Sequence, residues 1–209
     1  MLRIKRVLLA ALFLGMVCAL PATAAAAADT PQAIVQGMVD RLSKAIDGHQ
    51  TELREHPDQM TKIIDTDVLP NFDLGLASLL VLGTHAAAAT PAQRVAFSNA
   101  FYGALTRSYA EAMINFATVK VNVLPSPVEP DATRALVRIQ VLQNGGGTLS
   151  VGCVFRKNAQ GEWKAYDVIV EGVSYITLYR SQVNSQIQRE GIDSVIKRLK
   201  TEGIAVLGQ

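Results

Sequence analysis

The 209-residue chain predicts an α+β fold: helices, then a four-stranded antiparallel meander, then two closing helices. Two changes of hydrophobic period carry that prediction. Apolar residues recur every three or four positions up to about Thr118, then at every second position up to Gly172. From Ser174 the longer period returns. Turn residues fall where the period changes, at Pro125-Ser126-Pro127, Asn144 to Gly147 and Asn158 to Gly161.

The first residues read as a leader rather than as fold. Arg3, Lys5 and Arg6 precede an apolar run from Val7 to Leu20, which is short for a membrane span. Pro21 and the alanines from Ala24 to Ala28 offer A-x-A cleavage sites, so residues 1–28 are expected to be a Sec signal peptide cut before Asp29. An uncleaved anchor is the alternative. Cys18 follows Gly15-Met16-Val17, a poor lipoprotein box. The chain is therefore expected to be exported.

Residues 29–209 then suffice for a single domain: a helical part over 29–117, a sheet over 118–172 and closing helices over 174–202. Without the three leader cations, 17 basic residues face 18 acidic ones, and no basic stripe for nucleic acid remains. Cys153 is then the lone thiol, so no internal disulfide is expected. It alternates with Leu149, Val151 and Phe155, the pattern of a buried apolar cysteine.

Thr30-Pro31 caps a first helix striped by Ile34, Val35, Met38, Leu42, Ala45 and Ile46 and ending at Gly48. Pro57 opens a second with Met60, Ile63 and Ile64. Phe72 to Leu82 is apolar nearly all round and predicts a deeply buried third helix, closed by Gly83. The alanines 86–89 read as a loop. Thr90-Pro91-Ala92-Gln93 is a capping box for a long helix striped by Phe97, Phe101, Leu105, Tyr109, Met113 and Phe116. In the sheet, Val119, Val121 and Val123 alternate, as do Ala135, Val137, Ile139 and Val141, then Leu149 to Phe155, then Trp163 to Val170. A helix from Ser174 carries Ile176, Tyr179, Val183 and Ile187, and a last one runs from Asp193 to Thr201.

The chemistry-bearing motifs are missing. Gly172-Val173-Ser174-Tyr175-Ile176 lacks the second glycine of a nucleophile elbow. His49, His56 and His85 all precede Ser174, opposite to the order of that fold. Ser174 is therefore expected to be an N-cap, replaceable by Asp almost without harm. There is no phosphate-binding loop, no dinucleotide fingerprint, no H-E-x-x-H and no C-x-x-C. Asp65 and Asp67 stand without further ligands, so no metal is expected. Asp167 is expected to pair structurally with an arginine such as Arg180. The competing reading makes it the general base of a small-molecule enzyme. No catalytic residue is otherwise proposed, and no cofactor.

The residues "WKAYDVIVEGVSYITLYRSQVNSQIQREGIDSVIKRL" resemble the C-terminal signature of the MlaC, or toluene-tolerance, family of periplasmic phospholipid-binding proteins. Asp167, Val168, Val170, Glu171, Gly172, Val173, Ser174, Tyr179, Arg180, Gly191 and Asp193 carry the match. Leu82, Gly83, Gln93, Arg94, Phe97, Phe101, Leu105, Tyr109 and Ala110 match a second block, and Pro70-Asn71-Phe72-Asp73 a third. His85-Ala86 departs from it, where the family commonly has an aromatic pair.

The resemblance implies a nuclear transport factor 2-like cone whose curved sheet and helices enclose an apolar pocket. It implies a shuttle of phospholipid that maintains outer-membrane lipid asymmetry. Its partners would be an outer-membrane lipoprotein–porin complex and an inner-membrane ABC transporter with an MCE-domain subunit. Hopanoid, or another polycyclic lipid, is the alternative cargo. The expected lipid-binding residues are Phe97, Phe101, Leu105, Tyr109, Val137, Ile139, Val151, Val168, Val170, Tyr175 and Tyr179. Asp167, Ser174 and Arg180 are expected to be structural. Bound phospholipid would be cargo, not cofactor.

Overall fold

A computed structural model describes residues 30–116, 119–143 and 145–208. The leader reading of residues 1–28 lies outside the described residues. Helix α1 (Pro31–Ile46) begins where Thr30 Oγ1 accepts the N–H of Ala33. It is followed by α2 (Gln50–Glu55) and α3 (Pro57–Ile63), then by a π-helical turn (Ile64–Val68) and a 3-10 turn (Leu69–Asn71). Next come α4 (Leu74–Leu82), α5 (His85–Ala88) and the long α6 (Pro91–Phe116). The capping box of α6 forms in full: Gln93 N–H donates to Thr90 Oγ1, and Thr90 N–H to Gln93 Oε1.

The sheet is antiparallel and ordered β1 (Lys120–Val123), β2 (Arg134–Leu142), β3 (Thr148–Lys157), β4 (Trp163–Val170) and β5 (Val173–Ser174). The expected four strands are thus five, because a two-residue strand is too short to show alternation. Helices α7 (Tyr175–Glu190) and α8 (Ile192–Glu202) follow, then a 3-10 turn, Ile204–Gly208. Three other expectations shift. Residues 50–55 are helical, and so are 85–88, in place of the alanine loop. Phe72 is extended and bridges Ala165, so α4 starts at its cap, Asp73. And α4 is not wholly buried, since Leu79 is 40% exposed.

Two local features set the geometry at β4. The register of β3 and β4 pairs Val154 with Asp167 but Phe155 with Ala165, leaving Tyr166 as a bulge. A bulge bends its strand and raises the local twist. At the far end, Val170 pairs with Val173 around a two-residue turn, Glu171-Gly172, both with positive φ (49° and 82°). That matches a type I′ hairpin, in which glycine is easy and glutamate is not. Glu171 is held there by β3: its N–H donates to Ser150 O at 2.9 Å, and its carboxylate accepts the N–H of Ser150.

The core has three parts. Helix α1 lays Val35 and Met38 on Val137, Ile139, Val141, Cys153, Phe155 and Ala165 of the sheet. Its last turns, Leu42 and Ile46, join Leu53, Met60, Ile64, Ala110 and Ile114. The largest part joins α4, α6, α7 and α8 around Phe97, Phe101, Val183 and Leu199. Cys153 is buried in the part beneath α1, as expected, and burial first, then the Asp167 charge, pushes its thiol up to about 12.

Candidate functional site

Between α6 and β4 the interior is not filled by side chains. A cavity of about 370 Å³ opens there. Its α6 wall is Tyr102, Leu105, Thr106, Tyr109, Ala112 and Met113; its sheet wall is Val168 and Val170; Tyr175 closes one side. The turns after α3 supply the rest through Ile64, Val68, Leu69 and Phe72. A deeper space of about 120 Å³ shares Phe72, Tyr102, Leu105, Val168 and Tyr175, and adds Phe101, Tyr179, Val81, Ile176 and Asp167. The size falls in the ~300–1,000 Å³ range of ligand pockets.

Aromatic rings line the depth of this space. Phe101 meets Tyr179 edge-on at 5.3 Å between centroids, and Tyr179 meets Tyr175 at 5.7 Å. The hydroxyls of Tyr109 and Tyr179 bond each other at 2.8 Å, so two phenols satisfy themselves inside an apolar wall. Burial, and then the bond to Tyr109, pushes the Tyr179 phenol far above its ordinary value. Burial acts likewise on Tyr175 and on Tyr102, the latter bonded to Ser78. All three stay neutral at any physiological pH.

A second groove, about 510 Å³, lies among Arg41, Asn71, Lys157, Trp163 and Lys164. Its cations are engaged already. Arg41 pairs with Asp67, Lys164 with Glu162 and the Pro70 carbonyl, and Lys157 sits 5.1 Å above the Trp163 ring.

The predicted residues divide between these regions. Leu105, Tyr109, Val168, Val170 and Tyr175 line the outer cavity, and Phe101 and Tyr179 the inner one. Phe97 is fully buried and stacks on Phe101 at 5.6 Å, lining neither space. Val137, Ile139 and Val151 face the same way as Val168 but pack in the cluster beneath α1. Alternation marks the inner face of a sheet, but not which part of that face a helix fills.

Ser174 is a cap: its Oγ accepts the N–H of Thr177 at 3.1 Å. Two expectations around it are corrected. Asp167 does not pair with Arg180. Its Oδ2 accepts the Ser174 hydroxyl at 2.7 Å and its Oδ1 the N–H of Ile176 at 3.0 Å. Arg180 instead donates from Nε to Leu80 O at 2.6 Å, capping the end of α4 and lying across Gly83. A Cβ at Gly83, where φ is +55°, would stand 3.3 Å from the Arg180 stem. The expectation that Asp is harmless at position 174 loses its basis too, because a carboxylate there would stand against Asp167.

Sequence reasoning missed Tyr102, Thr106, Ala112 and the floor residues Ile64, Val68, Leu69 and Phe72. A signal existed on α6. Tyr102, Leu105, Thr106, Tyr109 and Met113 form a second stripe, rotated by about one residue from Phe97, Phe101 and Ala104. No comparable stripe ran through the floor, which is a π-helical turn followed by a 3-10 turn and the extended Phe72.

With this geometry in place, comparison with known proteins is decisive. The family model described as MlaC protein matches residues 36–201. The chain belongs to the MlaC family. The intermembrane phospholipid transport system binding protein MlaC of Haemophilus influenzae is 27% identical over 178 residues, covering 84% of this chain and 83% of that protein. Toluene tolerance protein Ttg2D of Pseudomonas putida is 28% identical over 168 residues, covering 80% and 77%. A phospholipid-binding protein from Ralstonia solanacearum, solved in complex with a phospholipid, superposes with a TM-score of 0.74. It is 27% identical, and the match covers 85% of this chain and 98% of that one.

Many residues that carried the family resemblance hold this MlaC-family fold together. Gln93 Nε2 donates to the Asp193 carboxylate at 3.0 Å, joining the starts of α6 and α8. Asp73 caps α4 through the N–H of Leu76 and pairs with Arg156 at 2.7 Å. Burial works against the Asp73 carboxylate, but that N–H and the guanidinium outweigh it and hold its carboxyl below the usual range. Among the described residues no His, Cys, Asp and Glu cluster could hold a metal, and no helix is long and apolar enough to cross a membrane.

Proposed function

We propose that this protein is a periplasmic carrier of phospholipid, with residues 29–209 acting as one lipid-binding domain once the leader is removed. The observation that carries this reading is the apolar cavity between α6 and β4, whose walls are aliphatic and aromatic. A two-chain lipid has roughly 30 methylenes, and at ~0.8 kcal/mol each their exposure costs on the order of 20 kcal/mol. Transfer across an aqueous space at useful rates therefore requires that the chains be enclosed. The phospholipid held by the related Ralstonia protein supports the same reading.

In this reading the acyl chains contact Phe101, Leu105, Tyr109, Val168, Val170, Tyr175 and Tyr179, within a cone-like enclosure. Val137, Ile139, Val151 and Phe97 serve as scaffold behind it. No bond is made or broken, so no catalytic residue is required. Asp167 suits this better than the role of base, since both its oxygens are committed to the start of α7. Lipid would be exchanged with an outer-membrane lipoprotein–porin complex and with an inner-membrane ABC transporter carrying an MCE-domain subunit.

Native mass spectrometry of protein isolated from the periplasm, followed by lipid extraction, tests the reading. A retained diacyl phospholipid is expected. A retained hopanoid would change the cargo class, and a protein indifferent to lipid would overturn the carrier.

A further inference from the structure

Three phenols stand together in the cavity wall. Tyr109 comes from α6, and Tyr175 and Tyr179 from the first two turns of α7. Ring centroids are 6.4 Å apart between Tyr109 and Tyr175, and 5.7 Å between Tyr175 and Tyr179. The 2.8 Å bond between Tyr109 and Tyr179 gives both oxygens a partner but uses only one of their two hydrogens. Tyr175 adds a third. Tyr109 is the link, since it bonds Tyr179 and is also the neighbour that, after burial, raises the Tyr175 phenol. Among the described residues, no group outside the trio bonds these hydroxyls. Joined through Tyr109 alone, three hydroxyls make at most two bonds among themselves. At least one O–H is therefore left to donate outward, into the cavity that they line.

The placement of the trio says what accepts that hydrogen. Tyr179 is buried and Tyr109 and Tyr175 are half-buried, so the hydroxyls lead from the interior toward the rim. The chain just before Tyr175, Glu171 to Val173, is exposed. A diacyl lipid has one zone where apolar chains give way to a polar head, and the ester carbonyls there accept hydrogen bonds without donating any. Tyrosine favours the matching depth of a bilayer for the same reason, its ring among carbon and its hydroxyl at the polar boundary. Two other polar side chains that line these spaces are already engaged: Asp167 holds Ser174 and the N–H of Ile176, and Tyr102 bonds Ser78.

We propose that Tyr109, Tyr175 and Tyr179 form an ester-binding subsite, whose spare O–H donates to a glycerol-ester carbonyl of the bound lipid. The chains then run between α6 and β4, and the headgroup leaves beside Tyr175. An ether-linked chain has no carbonyl to offer. Once chains displace water from the cavity, the donor has no replacement for it, and an unmatched donor is costly. The carrier therefore selects ester-linked over ether-linked lipid at equal chain length and headgroup. This inference rests on the phospholipid reading above.

The test equilibrates the full mature protein with vesicles holding equal diacyl and dialkyl phosphatidylethanolamine of the same chain length, and quantifies bound lipid by mass spectrometry. Enrichment of the diacyl lipid by about fivefold is expected, the worth of one net hydrogen bond. Combining Tyr109→Phe, Tyr175→Phe and Tyr179→Phe should bring the ratio to one. Removing both partners of a hydrogen bond leaves no polar group stranded, which favours folding of that variant. Should it nevertheless fail to fold, Tyr109→Phe with Tyr179→Phe should lower the enrichment to about half or less. Equal loading of the two lipids by the unaltered protein, or an unchanged ratio in the phenylalanine variants, overturns the ester subsite alone. Uptake of neither lipid overturns the carrier reading together with it.

Discussion

Two halves of one sheet face have opposite fates. On β2, Val137 and Ile139 are buried to 0% and 6% exposure under Val35 and Met38 of α1. On β4, Val168 and Val170 face the same interior but meet a cavity, with α6 on its far side. The residue types are the same, and so is the alternation. What differs is the partner: Val35 and Met38 of α1 rest directly on the sheet, whereas α6 presents Tyr102 and Tyr109, whose rings pack on Phe101 and on Tyr175 of α7. Apolar character therefore makes a surface ready for burial, and the opposing element decides whether protein or ligand supplies it.

The sharpest way to break this comparison is by truncation. Phe155→Ala, in the filled half, should cost about 3–5 kcal/mol. Val168→Ala, on the cavity wall, should cost well under half of that, because there is little packing left to lose. Thermal melts compare them directly, and equal losses would mean that the two halves are packed alike. Overfilling gives the complementary test. Val168→Trp should cut lipid loading while the fold survives, whereas Val137→Trp should unfold the protein.

Next in size is the start of α7, where the cavity wall is anchored. Ser174→Ala should lose about 1 kcal/mol through the cap, with lipid loading kept. Ser174→Asp should lose more at neutral pH, since its carboxylate meets Asp167, and should recover on acidification as one of the two takes up a proton. Denaturant melts at pH 7 and pH 4 read the difference, and a variant equally stable at both would refute that contact.

The smallest effect concerns Asp73 at the junction of α4 and the sheet. Its folded carboxyl lies below the ordinary value, so its contribution is present above the unfolded pKa and is lost as pH falls through the folded one. The pair is partly solvated, which limits it to under about 1 kcal/mol. Asp73→Asn keeps a capping side chain but removes the charge, so its stability should fall less steeply below pH 4 than that of the unaltered protein. Parallel slopes would assign the acid sensitivity elsewhere.

The sequence alone determined what is local. Thr30, Thr90 with Gln93, and Ser174 announced three helix starts because capping depends on a few neighbouring residues. The change of period near Thr118 announced the sheet, because side-chain direction follows backbone period. It also determined family, through residues such as Asp167, Gly172 and Arg180. The roles of those residues were another matter. Arg180 was expected beside Asp167 but caps α4 across Gly83, a partner about a hundred positions away, and no local spacing encodes that. Likewise Val137 and Val168 are indistinguishable in sequence. Only the packing of α1 on one half of the sheet, and of the floor from Ile64 to Phe72 beside the other, decided which valine is core and which lines the cavity. Local signals arise from interactions within a few residues; a cavity is the place that distant elements fail to fill, and only their assembled positions define it.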